Sequence, residues 1–487
     1  MKKHGVRVKL LGSVVGLSVT LAACGGGGGG SGGGGSSAPP TGTTPAPAPA
    51  PTATCSLAAR KDWAAAQLRE WYLFPETLPA SLDPASYSTV NDYVDALTAT
   101  ARSQRRDRFF TYVTSIAEEN AFISSGSSAG FGIRLSNDRA ARRVFVAEAF
   151  EGAPALSAGI DRGAEILAIG TSVDTLETIE QIITARGNSG VTDALGASTP
   201  GLSRTFRIRD AAGERTVTVT KAEYDIAPVS SRYGARVIED GGRRVGYVNL
   251  RTFIGTADPA LRNAFAGFRA QGITEIVVDF RYNGGGLVRI AELLGDLLGG
   301  NRSTSDVQAY TVFRASKSSE NDTRFFQPQP QSIGSTKIAF IGTDGTASAS
   351  EEVINAFRPY LRANAALIGT NTFGKPVGQI ALDRAACDDR LRVVAFAIQN
   401  AARQGDYFDG LAPQMEATCR AADDVTRPLG DPQEASTRAA LDFLAGRQCT
   451  PIAAGSKDTL AQAGAGTREL LQPRAPSAAQ REVPGLF

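Results

Sequence analysis

Apolar and polar positions change their period three times along the chain. WAAAQLREWYLF (63–74) and STVNDYVDALTATARSQ (88–104) carry apolar residues at helical spacing, which predicts a small helical domain over 55–124. From 125 to 223 short β-rich runs take over. They include SSAGFGIRL, RRVFVAEAFEGAPALSAGIDRGAEILAIGTSV, RTFRIRD and RTVTVTKAEY, with helical stretches at APALSAGI and ETIEQIITAR. From about 228 to 450 strands and helices alternate. RRVGYVNL, EIVVDF, KIAFIG and AALIGT read as strands, and DPALRNAFAGFRAQ, LVRIAELLGDLLG and EEVINAFRPYLRA as helices. That alternation predicts an α/β layered domain. Helical propensity fades after Cys449, so 451–487 is expected to be a disordered tail.

The first residues have another pattern. MKKHGVRVK is basic, LLGSVVGLSVTLAA is apolar but short for a membrane span, and Cys24 follows. LAAC resembles the lipobox of bacterial lipoproteins. The resemblance implies a signal peptide over 1–24, lipid on Cys24 and a membrane-anchored protein of the cell envelope. Gly25, with no aspartate there, fits outer-membrane sorting in a cell that has an outer membrane. Residues 25–54 are a Gly-rich then Pro/Ala-rich tether, flexible first and stiff after.

Cleavage before Cys24 removes Lys2, Lys3, Arg7 and Lys9 and no acid, so the formal charge moves from +2 to −2. A nearly neutral chain offers no electrostatic case for nucleic acid. Cleavage also removes His4, the single histidine. Ser-His-Asp and Cys-His catalysis and His-ligated zinc are thereby excluded, and no metal or cofactor is expected. Cys55, Cys387, Cys419 and Cys449 remain, an even number that suggests disulfides in an exported protein. The expected pairing is Cys387–Cys419, flanking one β-rich stretch, with Cys55–Cys449 tying the ends of the folded region.

Three segments of the α/β part follow strands with unusual residues. DFRYNGGG (279–286) places three glycines where bare backbone can approach a ligand. GTASASEE (345–352) crowds three hydroxyls into a strand-to-helix turn. Ser348 and Glu351 fit the S-x-x-E capping box, and a serine at a helix start also sits where developing negative charge is favoured. GTNTFGKPVGQ (369–379) nearly makes a phosphate-binding loop, but Pro376 stands where a hydroxyl should hold magnesium. With no histidine available, a serine needs another base. A lysine, pKa about 10.4 in water, can serve if burial makes it neutral. Lys375, flanked by Phe373, Pro376 and Val377, is the candidate.

DFRYNGGGL, TASASE and TFGKPVGQ, in that order, resemble the C-terminal processing (tail-specific) peptidases. The β-rich part, through GFGIRL and AGIDRGAEILAIGTSV, resembles a PDZ domain, which is typical of that family. These resemblances imply a ClpP/crotonase-like layered α/β catalytic core with an inserted PDZ domain and a small N-terminal helical domain, and a serine-type peptidase acting on proteins or peptides. Residue by residue, the nucleophile falls on Ser348, the general base on Lys375 and its orienting glutamine on Gln379. The oxyanion hole falls on the N–H groups of Gly286 and Ala349. Phe131, Gly132 and Ile133 match the PDZ loop that receives a peptide's terminal carboxylate. Ser350 and Glu351 are expected to be neighbours rather than catalysts. YFDGLAP (407–413) resembles the element closing the family's catalytic region. Two departures bear on helix geometry: Pro359 stands where relatives often have an acid, and 27 positions separate Ser348 from Lys375. The alternative is a PDZ-containing peptide-binding lipoprotein without turnover. Oligomeric state is not legible.

Overall fold

The apolar runs of the α/β part lie side by side in one six-stranded sheet. Its order is Ala235–Asp240, Arg243–Asn249, Glu275–Asp279, Lys337–Gly342, Ala365–Gly369, Ala417–Arg420. The first pair is antiparallel and the following four pairings are parallel. A mostly parallel sheet must be covered on both faces, which is why its strands read as continuous apolar runs. Ile276 and Val278 point into a core shared with the helices Ala257–Ala270, Val288–Leu298 and Ala349–Leu361. Val277, with Ala339 and Ile341, points the other way, against the helix Ala435–Leu444. In this computed structural model the described residues are 53–453 and 468–487. The signal, Cys24 and most of the tether lie outside the described residues, as do residues 454–467.

The N-terminal part is helical as expected, with Leu57–Trp71, Val90–Leu97 and Ala99–Ser103. It is not a free-standing unit. Its strand Tyr112–Ser115 pairs antiparallel with Asp389–Gln399, inside a five-stranded sheet that also holds Val307–Phe313, Asp322–Phe325 and Val377–Arg384. Leu68, Tyr72 and Leu97 share one apolar cluster with Val377, Leu391 and Val393.

The β-rich part forms a seven-stranded sheet. Ile133–Asp138, Arg143–Ala149, Glu165–Gly170, Ser203–Asp210 and Gly213–Thr220 follow one another, with Glu177–Thr178 added on Glu165–Gly170. The helix Ile179–Leu195, broken at Gly187, supplies Ile182, Val191 and Leu195 to its core.

Two expectations are corrected here. Residues 468–487 are not a disordered tail. Glu469–Leu470 is the seventh strand of this sheet, paired with Ile133–Asp138, and Ala478–Glu482 is a short helix. Leu471, Ala479, Val483, Leu486 and Phe487 are buried. Pieces this short carry almost no intrinsic order, and tertiary burial supplies it.

The disulfides are Cys55–Cys387 and Cys419–Cys449, with Cα atoms 5.5 and 5.4 Å apart, rather than the expected pairs. Cys387 sits in the turn between the strands Val377–Arg384 and Asp389–Gln399, next to the start of the Leu57–Trp71 helix, where Arg60 also pairs with Asp389. Cys419 lies on the edge strand of the main sheet, and Cys449 returns to it after the Ala435–Leu444 helix, where Arg420 N–H donates to Thr450 O at 2.6 Å. Packing between distant segments decides both pairings.

Candidate active site

Ser348 closes a tight turn between the strand Lys337–Gly342 and the helix Ala349–Leu361. Local hydroxyls shape that turn. Thr343 N–H donates to Thr346 Oγ1 at 2.9 Å, and the Thr346 hydroxyl donates to Phe280 O at 2.9 Å. Ser348 itself has φ 54° and ψ −115°, a strained conformation for a residue with a side chain. Such strain costs on the order of 1–3 kcal/mol and persists only where surroundings enforce it. A strained strand-to-helix turn is also how other hydrolases present a nucleophilic serine. Ala349, its neighbour in the helix's first turn, is buried. Ser350 is turned away, its hydroxyl donating to Asn283 O at 3.1 Å.

Lys375 lies just before the strand Val377–Arg384, on which Gln379 sits. Its Nζ donates to Gln379 Oε1 at 2.8 Å and lies 5.0 Å from the centre of the Phe110 ring. Gln379 is oriented in turn by donating to Phe110 O. Burial pushes the Lys375 ammonium below its usual range, while the carboxylates of Glu482 and Asp107 pull it back up. The hydrogen bond of Nζ is to Gln379, not to Ser348. The YFDGLAP element brackets the lysine loop. Leu411 N–H donates to Thr372 Oγ1 and Ala412 N–H to Asn371 Oδ1, each at 2.9 Å.

The glycine loop reaches Ser348 from the neighbouring strand Glu275–Asp279. Asn283 holds it, donating to Leu250 O at 2.8 Å and accepting Gly285 N–H at 2.9 Å. Gly285 has φ +123°, and a Cβ there would lie 2.8 Å from Ser348 Cβ and 3.3 Å from Ala349 N. Gly286, with φ +132°, faces the Phe253 backbone, where a Cβ would come within 2.5 Å of Phe253 O. No side chain fits at either position. The loop's base is fixed by buried ions. Arg281 pairs with Asp279 and bidentately with Glu434 at 2.9 Å, and Tyr282 donates to Asp423.

Sequence reasoning missed two groups. Glu351, a neighbour by expectation, is fully buried and organises the site. Its carboxylate accepts from Ser348 N–H at 3.1 Å, Thr372 Oγ1 at 2.6 Å, and the N–H groups of Gly374 and Lys375 at 2.7 Å. The signal was present in the capping box, of which the Glu351-to-Ser348 bond is one half. Arg108, from the N-terminal part, stacks 4.0 Å over the Phe373 ring and donates to Phe373 O at 2.7 Å. It had no motif to announce it. Pro359 does not break the helix, which runs to Leu361. The Asn355 carbonyl that a proline leaves without its helical donor accepts from Asn400 Nδ2 at 3.3 Å.

Phe131, Gly132 and Ile133 lie at the start of the strand Ile133–Asp138, some way along the chain from these groups. Phe131 is a core residue, edge-on to Phe206 at 5.1 Å. The N–H groups of Gly132 and Ile133 both donate to Phe487 O, at 2.9 and 3.2 Å. Among the described residues no cluster of side chains could hold a metal ion. No described helix is long and apolar enough to cross a membrane.

A serine on a strained elbow, a half-buried lysine with its glutamine and a glycine loop stand together in a layered α/β fold, and known proteins resemble the chain over the residues that carry them. Residues 244–416 match peptidase family S41, and residues 59–112 match the peptidase S41 N-terminal domain. The carboxyl-terminal-processing peptidase 3, chloroplastic, of Arabidopsis thaliana is 25% identical over 333 residues, 68% of this chain and 60% of that protein. The C-terminal processing peptidase, chloroplastic, of Tetradesmus obliquus is 29% identical over 275 residues, 53% of this chain and 54% of that protein. The carboxy-terminal processing protease CtpA of Bacillus subtilis is 23% identical over 315 residues, 64% of this chain and 61% of that protein. The chain therefore spans little more than half the length of these curated relatives. A crystal structure of an S41-type protein from Bacteroides fragilis superposes with a TM-score of 0.61 at 22% identity, over 79% of this chain and 97% of that one. The likeness to peptidase family S41 thus covers most of the α/β part and most of the N-terminal helical part of this chain.

Proposed function

We propose that this chain is a serine endopeptidase of the C-terminal processing type, acting on proteins or peptides through Ser348 and Lys375. The observation that carries the reading is the Glu351 carboxylate, which ties the Ser348 N–H and the Lys375 N–H to one buried anchor. The nucleophile and the base are thereby held in one frame. Neutral Lys375 takes the Ser348 proton as Oγ attacks a peptide carbonyl. The lysine then donates that proton to the leaving amine, and water hydrolyses the acyl-enzyme by the reverse sequence. The oxyanion is held by the N–H groups of Ala349 and Gly286, each such donor worth about 3–4 kcal/mol. The β-rich part acts as a PDZ domain that captures peptide ends. Lipidation of Cys24 tethers the enzyme to an envelope membrane, facing away from the cytoplasm.

The test uses protein lacking residues 1–24 and casein as an unstructured substrate. Cleavage is expected, with Ser348→Ala and Lys375→Ala each abolishing it and Ser350→Ala retaining much more. Cleavage that survives both of the first two substitutions sinks the mechanism. A fluorophosphonate probe adds a direct readout, since labelling at Ser348 separates an enzyme from a silent peptide binder.

A further inference from the structure

The segment 468–487 touches the turn before Ser348, the glycine loop and the edge of the strand Ile133–Asp138. Leu470 rests on the nucleophile turn, where a Cβ at Gly345 would come 2.7 Å from its Cδ1. Further on, Glu482 O accepts from Gly284 N–H at 3.0 Å, on the glycine loop beside Ser348. A Cβ at Gly284 would also lie 2.7 Å from Arg481 O and 3.0 Å from Pro484 Cδ. The half-buried Glu482 carboxylate lies within electrostatic reach of Lys375.

Residues 485–487 then add to the edge of the strand Ile133–Asp138 at 133–135, beside the stretch that pairs with Glu469–Leu470. Leu135 N–H donates to Gly485 O and Phe487 N–H to Ile133 O, both at 2.8 Å. Arg134 and Leu486 face each other antiparallel. Gly132 and Ile133 N–H converge on Phe487 O. The Phe487 side chain joins the domain's core cluster with Phe131, Ile133 and Ile182. Main-chain pairing on a sheet edge, with one side chain in a pocket, is how a strand-addition site holds a separate peptide. Here the peptide is the chain itself.

We propose that Ser477–Phe487 is a displaceable ligand carried by the chain, one that fills the peptide groove, covers the glycine loop and so closes the catalytic cleft. The inference rests on the peptidase reading for its catalytic consequence and on the observed contacts for its occupancy. Its main-chain bonds can be replaced by any extended segment, so the groove's selectivity lies in the pocket of Phe487. A competing substrate end must therefore present a bulky apolar residue there. It must also outcompete a tethered segment, whose local concentration is on the order of millimolar.

The experiment places a site-specific protease sequence within residues 454–467 of the otherwise complete protein lacking residues 1–24. After folding, the site is cut. The probe is fluorescein-labelled SAAQREVPGLF, followed by anisotropy, and casein cleavage is measured alongside with Ser348→Ala as blank. The uncut protein is expected to ignore the probe. The cut protein should release its own segment in exchange for the probe and cleave casein at least tenfold faster once the segment is washed away. The variant peptide SAAQREVPGLD should not compete. Equal probe binding before and after cutting overturns the proposal. So does a cut segment that excess peptide cannot exchange, or a released segment with no gain in cleavage over an active uncut protein. If neither form shows Ser348-dependent cleavage, the peptidase reading fails, and the binding comparison still decides whether the segment is a ligand.

Discussion

Four donors converge on the Glu351 carboxylate, and three of them are backbone N–H groups of the nucleophile turn and the lysine loop. Burial pushes this carboxyl's pKa up, while the four hydrogen bonds hold its charged form. Its role is positioning, since it enforces the strained Ser348 and fixes the approach of Lys375. Misplacement of reacting groups by about 1 Å can cost 10²-fold in rate. Glu351→Ala is therefore expected to lower kcat by about 100-fold with KM changed less than about threefold. Glu351→Gln should lose about tenfold, because its remaining oxygen can still serve Ser348 and Lys375 and the Thr372 hydroxyl can turn to accept, while the Gly374 N–H is left without its acceptor. Steady-state kinetics on a fluorogenic peptide separates the two constants. A merely structural glutamate would give parallel losses in folded fraction and an unchanged kcat per folded molecule. At this scale the sequence was partly readable. Ser348, Lys375 and Gln379 stood in motifs whose chemistry is local. Glu351 was visible only as a helix cap, because its second partner lies more than 20 residues away.

The nucleophile helix, Ala349–Leu361, carries a second acid with a different fate. Glu352 is buried and its Oε2 has no hydrogen-bond partner. Burial first, and then the nearby Glu292 charge, push its pKa well above the usual carboxylate value. A raised folded-state pKa means the group costs nothing below its unfolded pKa and costs progressively more as pH rises through and beyond it. Glu352→Gln, which cannot ionise, is thus expected to raise stability at pH 7.5 by about 1–3 kcal/mol. Little gain is expected at pH 4, where the wild-type carboxyl is protonated in the folded state and mostly protonated in the unfolded one. Thermal melts at the two pH values check it, and an equal gain at both would contradict it. Elements with strong periodicity, such as this helix and the buried strand Glu275–Asp279, were legible in the sequence. Those whose order comes from distant partners were not. The strand Tyr112–Ser115 exists through Asp389–Gln399, and the helix Ala478–Glu482 through packing on the core.

Across the whole molecule, the β-rich part is keyed to the catalytic part by buried charge. Arg251 of the catalytic part, 1% exposed, donates to Glu148 Oε1 and Glu151 Oε2 at 2.7 Å. Arg134 shares Glu148 at 3.3 Å and also donates to Tyr282 O in the glycine loop and to Pro484 O in the terminal segment. One cluster of four side chains therefore joins the strand Ile133–Asp138, the glycine loop and the terminal segment. Any movement of the groove strand when its occupant leaves would be felt at Tyr282, two residues before the loop glycines. A buried pair contributes modest net stability, but removing one partner strands a charge at a cost of about 3–5 kcal/mol. Arg251→Met should destabilise by that amount. Adding Glu148→Gln to Arg251→Met should cost less than the sum of the two single losses, because the Arg251–Glu148 contact can be lost only once, even though Arg134 then also loses its acid. Urea unfolding of wild type, both single variants and the double variant closes the cycle. Additive losses would show that Glu148 and Arg251 act independently, and would remove this cluster as the link between groove and catalytic loop.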